Sequence, residues 1–357
     1  MRASQLSECQ QDAKKGSGGR KNDTHAMRQK TELKEHALSQ MTTDERYMSR
    51  CLQLARGGWQ GAPPNPMVGA VIVARDRILG EGFHVRCGEG HAEVNAFASV
   101  SPADEPLLSE ATIYVSLEPC SHWGKTPPCA DLILRKGVRR CVVGCIDPFA
   151  QVQGRGVEKL RRGGVEIVVG VLEAECKALN RRFFTFHEQQ RPYITLKWAQ
   201  TADGFIGRKD QTPDHPLLIS NALTQMLCHK RRAEHQAIMV GRRTMETDAP
   251  SLTVRAWIGN NPRRLVLSHQ GGSLAEQLHR LWQEGVQTLL VEGGLETLQS
   301  FIDEGLWDEA HVETGPQPLG ETNGVPAPIL SHARLTGLLS LQGHLLHSYS
   351  RISNPIV

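Results

Sequence analysis

Two stretches decide how this chain folds: His91-Ala-Glu93 and Glu118-Pro-Cys-Ser-His-Trp-Gly-Lys-Thr-Pro-Pro-Cys129. One histidine and two cysteines form a nitrogen and sulfur ligand set that suits zinc. A catalytic zinc site uses three protein ligands and keeps a fourth position for water, whose pKa falls towards 7 on the metal. We therefore predict that His91, Cys120 and Cys129 bind one zinc ion.

Glu93 lies two residues after His91, at the start of the same predicted helix. A carboxylate in this position can take a proton from the attacking water and return it to the ring nitrogen and the departing amine. The four residues together predict hydrolytic deamination of an amino-substituted base. Taken singly, His91 is better explained as a helix cap and each cysteine as a buried thiol. Only the ordered combination favours zinc.

The chain around these residues alternates predicted strands with predicted helices. The β-branched run from Val68 to Val73 and its partner from Ile78 to Phe83 form a hairpin with a turn at Arg75-Asp76. Further strands are predicted at 111–117, 138–145 and 165–169, and helices at 43–58, 91–100, 129–136 and 156–162. This alternation predicts an α/β domain with helices on the faces of the sheet, spanning residues 41–186.

A second α/β pattern begins at Pro192. Strands are predicted at 192–198, 237–241, 264–267 and 288–292, and helices at 220–234 and 274–284. No Gly-x-Gly-x-x-Gly sequence follows a strand, so the sequence does not support a standard dinucleotide-binding unit. A chain of 357 residues is longer than one hydrophobic core usually organises. Because a new α/β pattern begins here, residues 187–357 are predicted to form a separate domain.

The remaining composition limits the classes of function. Residues 1–40 contain no Val, Ile, Phe, Trp or Tyr and are predicted to be a disordered tail. Of 41 Lys and Arg and 38 Asp and Glu, this tail holds eight and five, which leaves 33 of each sign for the rest of the chain. A neutral globular part disfavours a nucleic-acid surface and favours a small-molecule substrate. The nine cysteines are expected to be thiols or metal ligands, with Cys141 and Cys145 as buried small hydrophobic residues.

No apolar run reaches the roughly 18 residues of a membrane span, and the first residues lack the apolar centre of a signal peptide. We therefore expect a cytoplasmic enzyme that makes no contact with membranes. A homo-oligomeric assembly is also expected.

The eight residues between Cys120 and Cys129 exceed the two of the Pro-Cys-x-x-Cys motif that is usual in nucleoside and nucleic-acid deaminases. With this loop the chain resembles the bifunctional riboflavin-biosynthesis enzymes, which join a pyrimidine deaminase to a reductase. The resemblance covers residues 41–186 and extends to Asn65-Pro-Met-Val-Gly69, Gly80-Glu-Gly-Phe-His84 and Asp147 to Gly156. It implies a cytidine-deaminase-like three-layer α/β/α domain. It further implies that the substrate is contacted by Asn65, His84, His122 and Lys125.

Residues 192–357 resemble the reductase domain of the same family, which has a dihydrofolate-reductase-like α/β fold and uses NADPH to reduce the phosphoribosyl group to ribityl. The resemblance implies that Asp248 transfers a proton. It implies substrate contacts from Arg232, Asp248, Leu252, Arg255 and Glu292, and cofactor contacts from Gln200, Thr201, Leu218, Thr244, Gly293 and Gly294. A Gly-Gly pair before a helix lets backbone amides approach a phosphate, and arginine binds phosphate bidentately. Without the resemblance, the Gly-Gly pair would be only a turn and Arg232 only a helix-surface charge.

Three departures from the family pattern concern this second domain. The segment from Pro216 to Ser220 lacks a tryptophan, Ala249 replaces a second aspartate, and only 20 residues separate Leu267 from Thr288. The family implies deamination of 2,5-diamino-6-(5-phosphoribosylamino)pyrimidin-4(3H)-one, followed by reduction of 5-amino-6-(5-phosphoribosylamino)uracil. The departures leave open a deaminase with a non-catalytic C-terminal domain, and the shared zinc scaffold leaves a nucleic-acid deaminase as the weaker alternative.

Overall fold

The computed structural model describes residues 40–123, 127–149, 152–212, 214–320 and 323–352. These residues form two compact units, one of residues up to 63 together with 67–179, and one of residues 64–66 together with 180–357. The predicted boundary after Phe186 falls inside a helix that begins at Arg181, which belongs to the second unit. The predicted tail at residues 1–40 lies outside the described residues except for Gln40.

The first unit contains a five-stranded sheet and five α-helices among its described residues. The strands are β1 (Gly69–Ala74), β2 (Arg77–Phe83), β3 (Thr112–Leu117), β4 (Arg140–Cys145) and β5 (Glu166–Val169). The helices are α1 (Thr43–Ala55), α2 (Ala92–Ala98), α3 (Cys129–Arg135), α4 (Arg155–Arg162) and α5 (Glu173–Leu179). The sheet order is β2-β1-β3-β4-β5, with β3, β4 and β5 parallel and β1 antiparallel to both β2 and β3.

Alternating side chains of these strands point to opposite faces of the sheet. On one face Ile72, Ile113 and Val143 pack with apolar residues of α2, α3 and α4 in a single core cluster. On the other face lie α1 and α5, where the Cys51 thiol donates to the Tyr114 carbonyl at 3.3 Å and Cys176 lies against β4. The unit therefore has the three-layer α/β/α arrangement expected from the sequence.

Local sequence accounts for where these elements begin and turn. Arg75 and Asp76 have φ values of 52° and 56°, as the predicted two-residue hairpin between β1 and β2 requires. The N-cap of α1 is Thr42, because Thr42 and Glu45 form a complete capping box, and the helix begins at Thr43.

The second unit contains a seven-stranded sheet in the order β13-β14-β11-β6-β10-β8-β9. Its strands are β6 (Tyr193–Gln200), β8 (Ala237–Gly241), β9 (Arg263–Leu267), β10 (Thr288–Val291), β11 (Glu309–Thr314), β13 (Ala333–Leu341) and β14 (His344–Arg351). A separate pair is formed by β7 (Phe205–Arg208) and β12 (Gly324–Pro326). The helices are α6 (Arg181–Gln189), α7 (Ala222–Ala233), α8 (Arg242–Asp248), α9 (Leu274–Gln283) and α10 (Leu295–Asp303).

The five neighbouring strands β9, β8, β10, β6 and β11 are parallel. β14 pairs antiparallel with β11, and β13 pairs antiparallel with β14 at the edge of the sheet. Leu196, Met239 and Val291 share one core cluster with α9 and α10 on one face of the sheet. Ile238, Val240 and Leu290 form a smaller cluster on the other face. The short connection between Leu267 and Thr288 holds α9 and one 3-10 turn, and β9 still pairs with β8. No helix within the described ranges is long and apolar enough to cross a membrane.

Candidate active sites

The predicted zinc ligands come together at the ends of three elements of the first unit. His91 is the N-cap of α2, Cys120 follows β3, and Cys129 is the first residue of α3. The Nδ1 atom of His91 lies 3.5 Å from the Cys120 sulfur and 3.3 Å from the Cys129 sulfur. All three donor atoms lie within 4.8 Å of one another, and among the described residues this is the one such group of three or more.

This donor set fits a zinc ion in both chemistry and spacing, because one nitrogen and two sulfurs converge on a common point. The side chain of His91 makes no capping hydrogen bond to α2, so helix capping does not account for the histidine. A hydrogen bond from Cys129 lowers the pKa of the Cys120 thiol, and the same bond raises the pKa of Cys129. Cys120 is therefore the thiol that ionises first, and a bound cation would have to displace the proton of Cys129.

Glu93 lies in the first turn of α2, and only 3% of its surface is exposed. Burial, reinforced by the negative charge of Cys120, raises the pKa of the Glu93 carboxyl to about 7. A carboxyl group with a pKa close to neutrality can both accept and release a proton, as a deaminase needs. The proton-transfer role of Glu93 stays a prediction, and its burial and its pKa suit that role.

Two of the predicted substrate contacts in this unit are described. His84 is buried, its Nδ1 lies 3.1 Å from the Gly90 carbonyl, and its ring meets the His91 ring edge-on at 5.4 Å. His122 lies 6.2 Å from the Phe149 ring, and its buried Nδ1 has no hydrogen-bond partner among the described residues. Asn65 belongs to the segment 64–66 grouped with the second unit, and Lys125 lies outside the described residues.

Sequence reasoning assigned no role to Glu118, the residue before Pro119-Cys120. Its buried carboxylate accepts hydrogen bonds from four backbone amides, at 3.3 Å from Asp147 and 2.8 Å from Gly154 through one oxygen. The other oxygen accepts from Gly156 at 2.8 Å and Val157 at 3.1 Å. Glu118 thereby caps α4 from a neighbouring strand. Gly154 and Gly156, in the glycine-rich run at the start of α4, are the sequence signal that could have indicated this role, because the backbone amides of a helix's first turn need an acceptor.

Gly156 explains why that run is rich in glycine. A Cβ atom at this position would lie 1.9 Å from the carbonyl oxygen of Pro119. Gly154 has φ 77° and serves as the N-cap of α4. The loop therefore packs backbone against backbone, directly beside the residue that precedes Cys120.

In the second unit, the candidate reductase site is a cavity of about 530 Å³. Nine residues that the sequence predicts as substrate or cofactor contacts line it: Leu218, Arg232, Thr244, Asp248, Leu252, Arg255, Glu292, Gly293 and Gly294. The other two do not line this cavity. Gln200 accepts a hydrogen bond from Trp198 at 2.9 Å, and Thr201 donates to Asp203 at 2.6 Å in the turn that precedes β7.

Arg232 lies in α7 with its charged group already paired. Its Nε and Nη2 atoms donate to the two carboxylate oxygens of Glu292 at 3.0 and 2.6 Å, and Nη1 donates to the Thr253 carbonyl at 3.2 Å. Burial tends to raise the pKa of Glu292, but Arg232 and Lys197 lower it overall. Bidentate binding of a phosphate by Arg232 would therefore require release of Glu292.

The remaining polar groups of the cavity suit a phosphorylated ligand. Gly294 is the N-cap of α10, and its backbone amide donates to the Thr244 hydroxyl at 3.0 Å. A Cβ at Gly293 would lie 2.6 Å from the Thr297 side chain, so a larger residue does not fit there. Backbone amides at a helix N-terminus bind phosphate well. Asp248 ends α8 and accepts a hydrogen bond from Gln211 at 2.9 Å. The residues of the cavity thus fit a phosphorylated nicotinamide cofactor.

The class defined by this fold and these sites is a zinc-dependent deaminase joined to a dihydrofolate-reductase-like domain. Residues 41–145 match the cytidine and deoxycytidylate deaminase zinc-binding region, and residues 192–341 match the RibD C-terminal domain. The riboflavin biosynthesis protein RibD of Aquifex aeolicus is 37% identical over 321 residues, which cover 78% of this chain and 88% of that protein. The chain belongs to the RibD family of riboflavin biosynthesis proteins.

Solved structures agree over nearly the full length of their chains. RibD from Acinetobacter baumannii has a TM-score of 0.75 at 27% identity, covering 87% of this chain and 99% of that one. A diaminohydroxyphosphoribosylaminopyrimidine deaminase/5-amino-6-(5-phosphoribosylamino)uracil reductase from Thermotoga maritima has a TM-score of 0.73 at 30% identity, covering 86% and 98%. The match to the RibD C-terminal domain, residues 192–341, lies within the second unit.

Proposed function

We propose that this chain catalyses two successive steps of riboflavin biosynthesis, one in each unit. In the first, 2,5-diamino-6-(5-phosphoribosylamino)pyrimidin-4(3H)-one is hydrolytically deaminated. In the second, the ribosyl group of 5-amino-6-(5-phosphoribosylamino)uracil is reduced with NADPH. The observation that carries the proposal is the convergence of His91, Cys120 and Cys129 beside the buried Glu93, in a chain that also contains the RibD C-terminal domain.

In the deaminase, His91, Cys120 and Cys129 would hold zinc, which when bound polarises a water molecule for attack on the amino-bearing carbon. Glu93 accepts the proton of that water and delivers it to the ring nitrogen and then to the leaving amine. His84 and His122 bind the substrate, together with Asn65 and the phosphate-binding Lys125. Burial of Glu93 keeps its carboxyl from ionising too readily, so both directions of transfer remain open.

In the reductase, NADPH supplies the hydride. We infer cofactor contacts from Thr244, Gly293, Gly294 and Leu218, which line the cavity. The family resemblance implies further contacts from Gln200 and Thr201, which do not line it. Asp248 transfers the proton that accompanies reduction, because its carboxylate lies in the cavity and is oriented by Gln211. Arg255, Leu252 and the Arg232–Glu292 pair orient the substrate.

The test replaces Glu93 and Asp248 in turn, and each variant serves as the control for the other. We expect Glu93→Gln to abolish ammonia release from the diaminopyrimidine while leaving NADPH oxidation by the deaminated substrate unchanged. Asp248→Asn should have the opposite effect. Ammonia release that survives Glu93→Gln would contradict the deaminase assignment. If the wild-type chain fails to oxidise NADPH, the second unit is a non-catalytic domain.

Three further properties belong to this proposal. Phosphorylated substrates and a nicotinamide cofactor are consistent with a cytoplasmic location. The balanced charge of residues 41–357 disfavours nucleic acid as a partner, and salt-dependent RNA binding by the chain would contradict this. A homo-oligomer is proposed, and sedimentation at several concentrations would test it.

A further inference from the structure

Ser220 lines the reductase cavity, but the hydrogen of its hydroxyl group is engaged elsewhere. Its Oγ atom lies 2.6 Å from a carboxylate oxygen of Glu313, a residue of β11 with 3% of its surface exposed. An ionised carboxylate can only accept a hydrogen bond, so Ser220 is the donor in this contact. The distance is that of a charge-assisted bond. The hydroxyl group consequently has only its lone pairs left for the cavity.

Glu313 is itself held in place by the neighbouring strand. The Nδ1 atom of His344, the first residue of β14, lies 2.9 Å from the second carboxylate oxygen of Glu313. The side chains of His344 and Glu313 are 7% and 3% exposed. One donor on each oxygen fixes the orientation of the carboxylate, because any rotation would break a buried hydrogen bond. Glu313 therefore keeps the Ser220 hydroxyl pointing away from the ligand space.

Lys197 lies in the cavity wall, within electrostatic reach of Glu292 and Glu313. Burial lowers the pKa of the Lys197 ammonium group, but Cys228, Glu292 and Glu313 raise it, and the net shift is upward. The lysine therefore remains a cation. The charge of Glu292 is paired with Arg232, whereas the direct side-chain contacts of Glu313 among the described residues are the Ser220 hydroxyl and the His344 imidazole.

We infer that Ser220 is an acceptor-only group that selects an N–H or O–H donor on the bound ligand, and that Glu313 and His344 are positioning residues that fix this polarity. The inference rests on the proposed reductase function of the cavity. Two ligands offer such a donor: the sugar hydroxyls of the phosphoribosyl substrate and the carboxamide of the nicotinamide cofactor.

Two substitutions test the polarity itself. Ser220→Ala removes the acceptor. Glu313→Gln allows an amide N–H to donate to Ser220, which turns the serine hydrogen towards the cavity and reverses its polarity. We expect each variant to weaken binding of the affected ligand about tenfold, the size of one hydrogen bond. The double variant should be no weaker than the worse single variant, because both changes remove the same contact.

Glu309→Gln is the matched control, since Glu309 is a largely buried carboxylate of the same strand that pairs with Arg181 and does not line the cavity. Calorimetric titration with NADPH and the KM for the uracil substrate distinguish the two donors. A tenfold rise in Kd for NADPH identifies the carboxamide, and a tenfold rise in KM alone identifies a sugar hydroxyl. Either supports the inference, provided that Glu309→Gln changes neither value.

The inference is overturned if folded Ser220→Ala changes both values by less than twofold, or if Glu313→Gln weakens binding further when Ser220 is already alanine. Should Glu313→Gln fail to fold, Ser220→Ala alone decides. Failure of the proposed reductase function is distinguishable from failure of this inference, because the wild-type chain would then oxidise no NADPH. The NADPH titration of Ser220→Ala would still decide the role of the serine.

Discussion

Replacement of Glu118 by glutamine would test how the deaminase site is held together. The carboxylate of Glu118 accepts four backbone hydrogen bonds, two on each oxygen, from the run that leads into α4. Glutamine keeps the shape but has a single acceptor oxygen. Its amide N–H2 would face two backbone N–H groups, so at least two bonds are lost and two donors are left buried without a partner.

The size of the effect follows from the contacts. A hydrogen bond to a charged acceptor contributes about 1.5–3 kcal/mol, and one of the bonds at risk, from Asp147, is long at 3.3 Å. The loss of two such bonds should cost about 3 kcal/mol of local stability. Because about 1.4 kcal/mol corresponds to a factor of ten, amide exchange in this loop should accelerate by roughly a hundredfold.

Hydrogen exchange read by mass spectrometry would measure this change at Gly154, Gly156 and Val157 in the full chain. Glu158→Gln serves as the control, because Glu158 lies on the same helix but makes only partly exposed ion pairs with Arg161 and Arg162. Its exchange pattern should match the wild type. If Glu118→Gln left these three amides as protected as in the wild type, the capping role of Glu118 would be refuted.

Three other substitutions have expected outcomes of their own. Burial lowers the pKa of His235 to about 3, below the ordinary value near 6.5. The contribution of the neutral histidine to the free energy of unfolding is therefore full above pH 6.5 and falls by about 1.4 kcal/mol per pH unit towards pH 3. In urea unfolding at pH 7 and pH 5, His235→Gln should show a smaller change of this free energy with pH than the wild type. Arg191→Met should cost about 3–5 kcal/mol in thermal unfolding, because it leaves Asp308 buried without its bidentate partner, and a loss below 1 kcal/mol would contradict this. Gly156→Ala should reduce zinc content measured by mass spectrometry, since the new Cβ collides with the Pro119 carbonyl, whereas Gly207→Ala, with its nearest neighbour at 3.4 Å, should not.

The hairpin and the parallel strands of the first unit were predictable because their residue patterns are local. A β-branched run followed by Arg75-Asp76 specifies a tight turn with little help from the rest of the chain. The metal centre was predictable for a different reason. His91 and Cys129 each lie at a helix start and Cys120 follows a strand, so the α/β layering brings three positions distant in sequence to one edge. The roles of individual substrate and cofactor contacts remain predictions.

The missed elements depend on partners that a single sequence does not reveal. The strands β13 and β14 pair with each other and with β11, but the leucines of β13 do not alternate with polar residues, so no strand was predicted there. The bond from Ser220 to Glu313 joins positions on separate elements, and neither residue belongs to a motif. The Glu118 cap likewise depends on the packing of α4 beside β3.

The Arg232–Glu292 pair has a consequence for how ligands compete for the reductase cavity. A guanidinium that already has a counter-ion contributes little long-range attraction, so an approaching phosphate has to displace a resident carboxylate before it gains the arginine. Small free anions can provide the charge but cannot replace the other contacts of Glu292. We therefore expect free inorganic phosphate to bind poorly at Arg232, because it gains the arginine only by displacing Glu292.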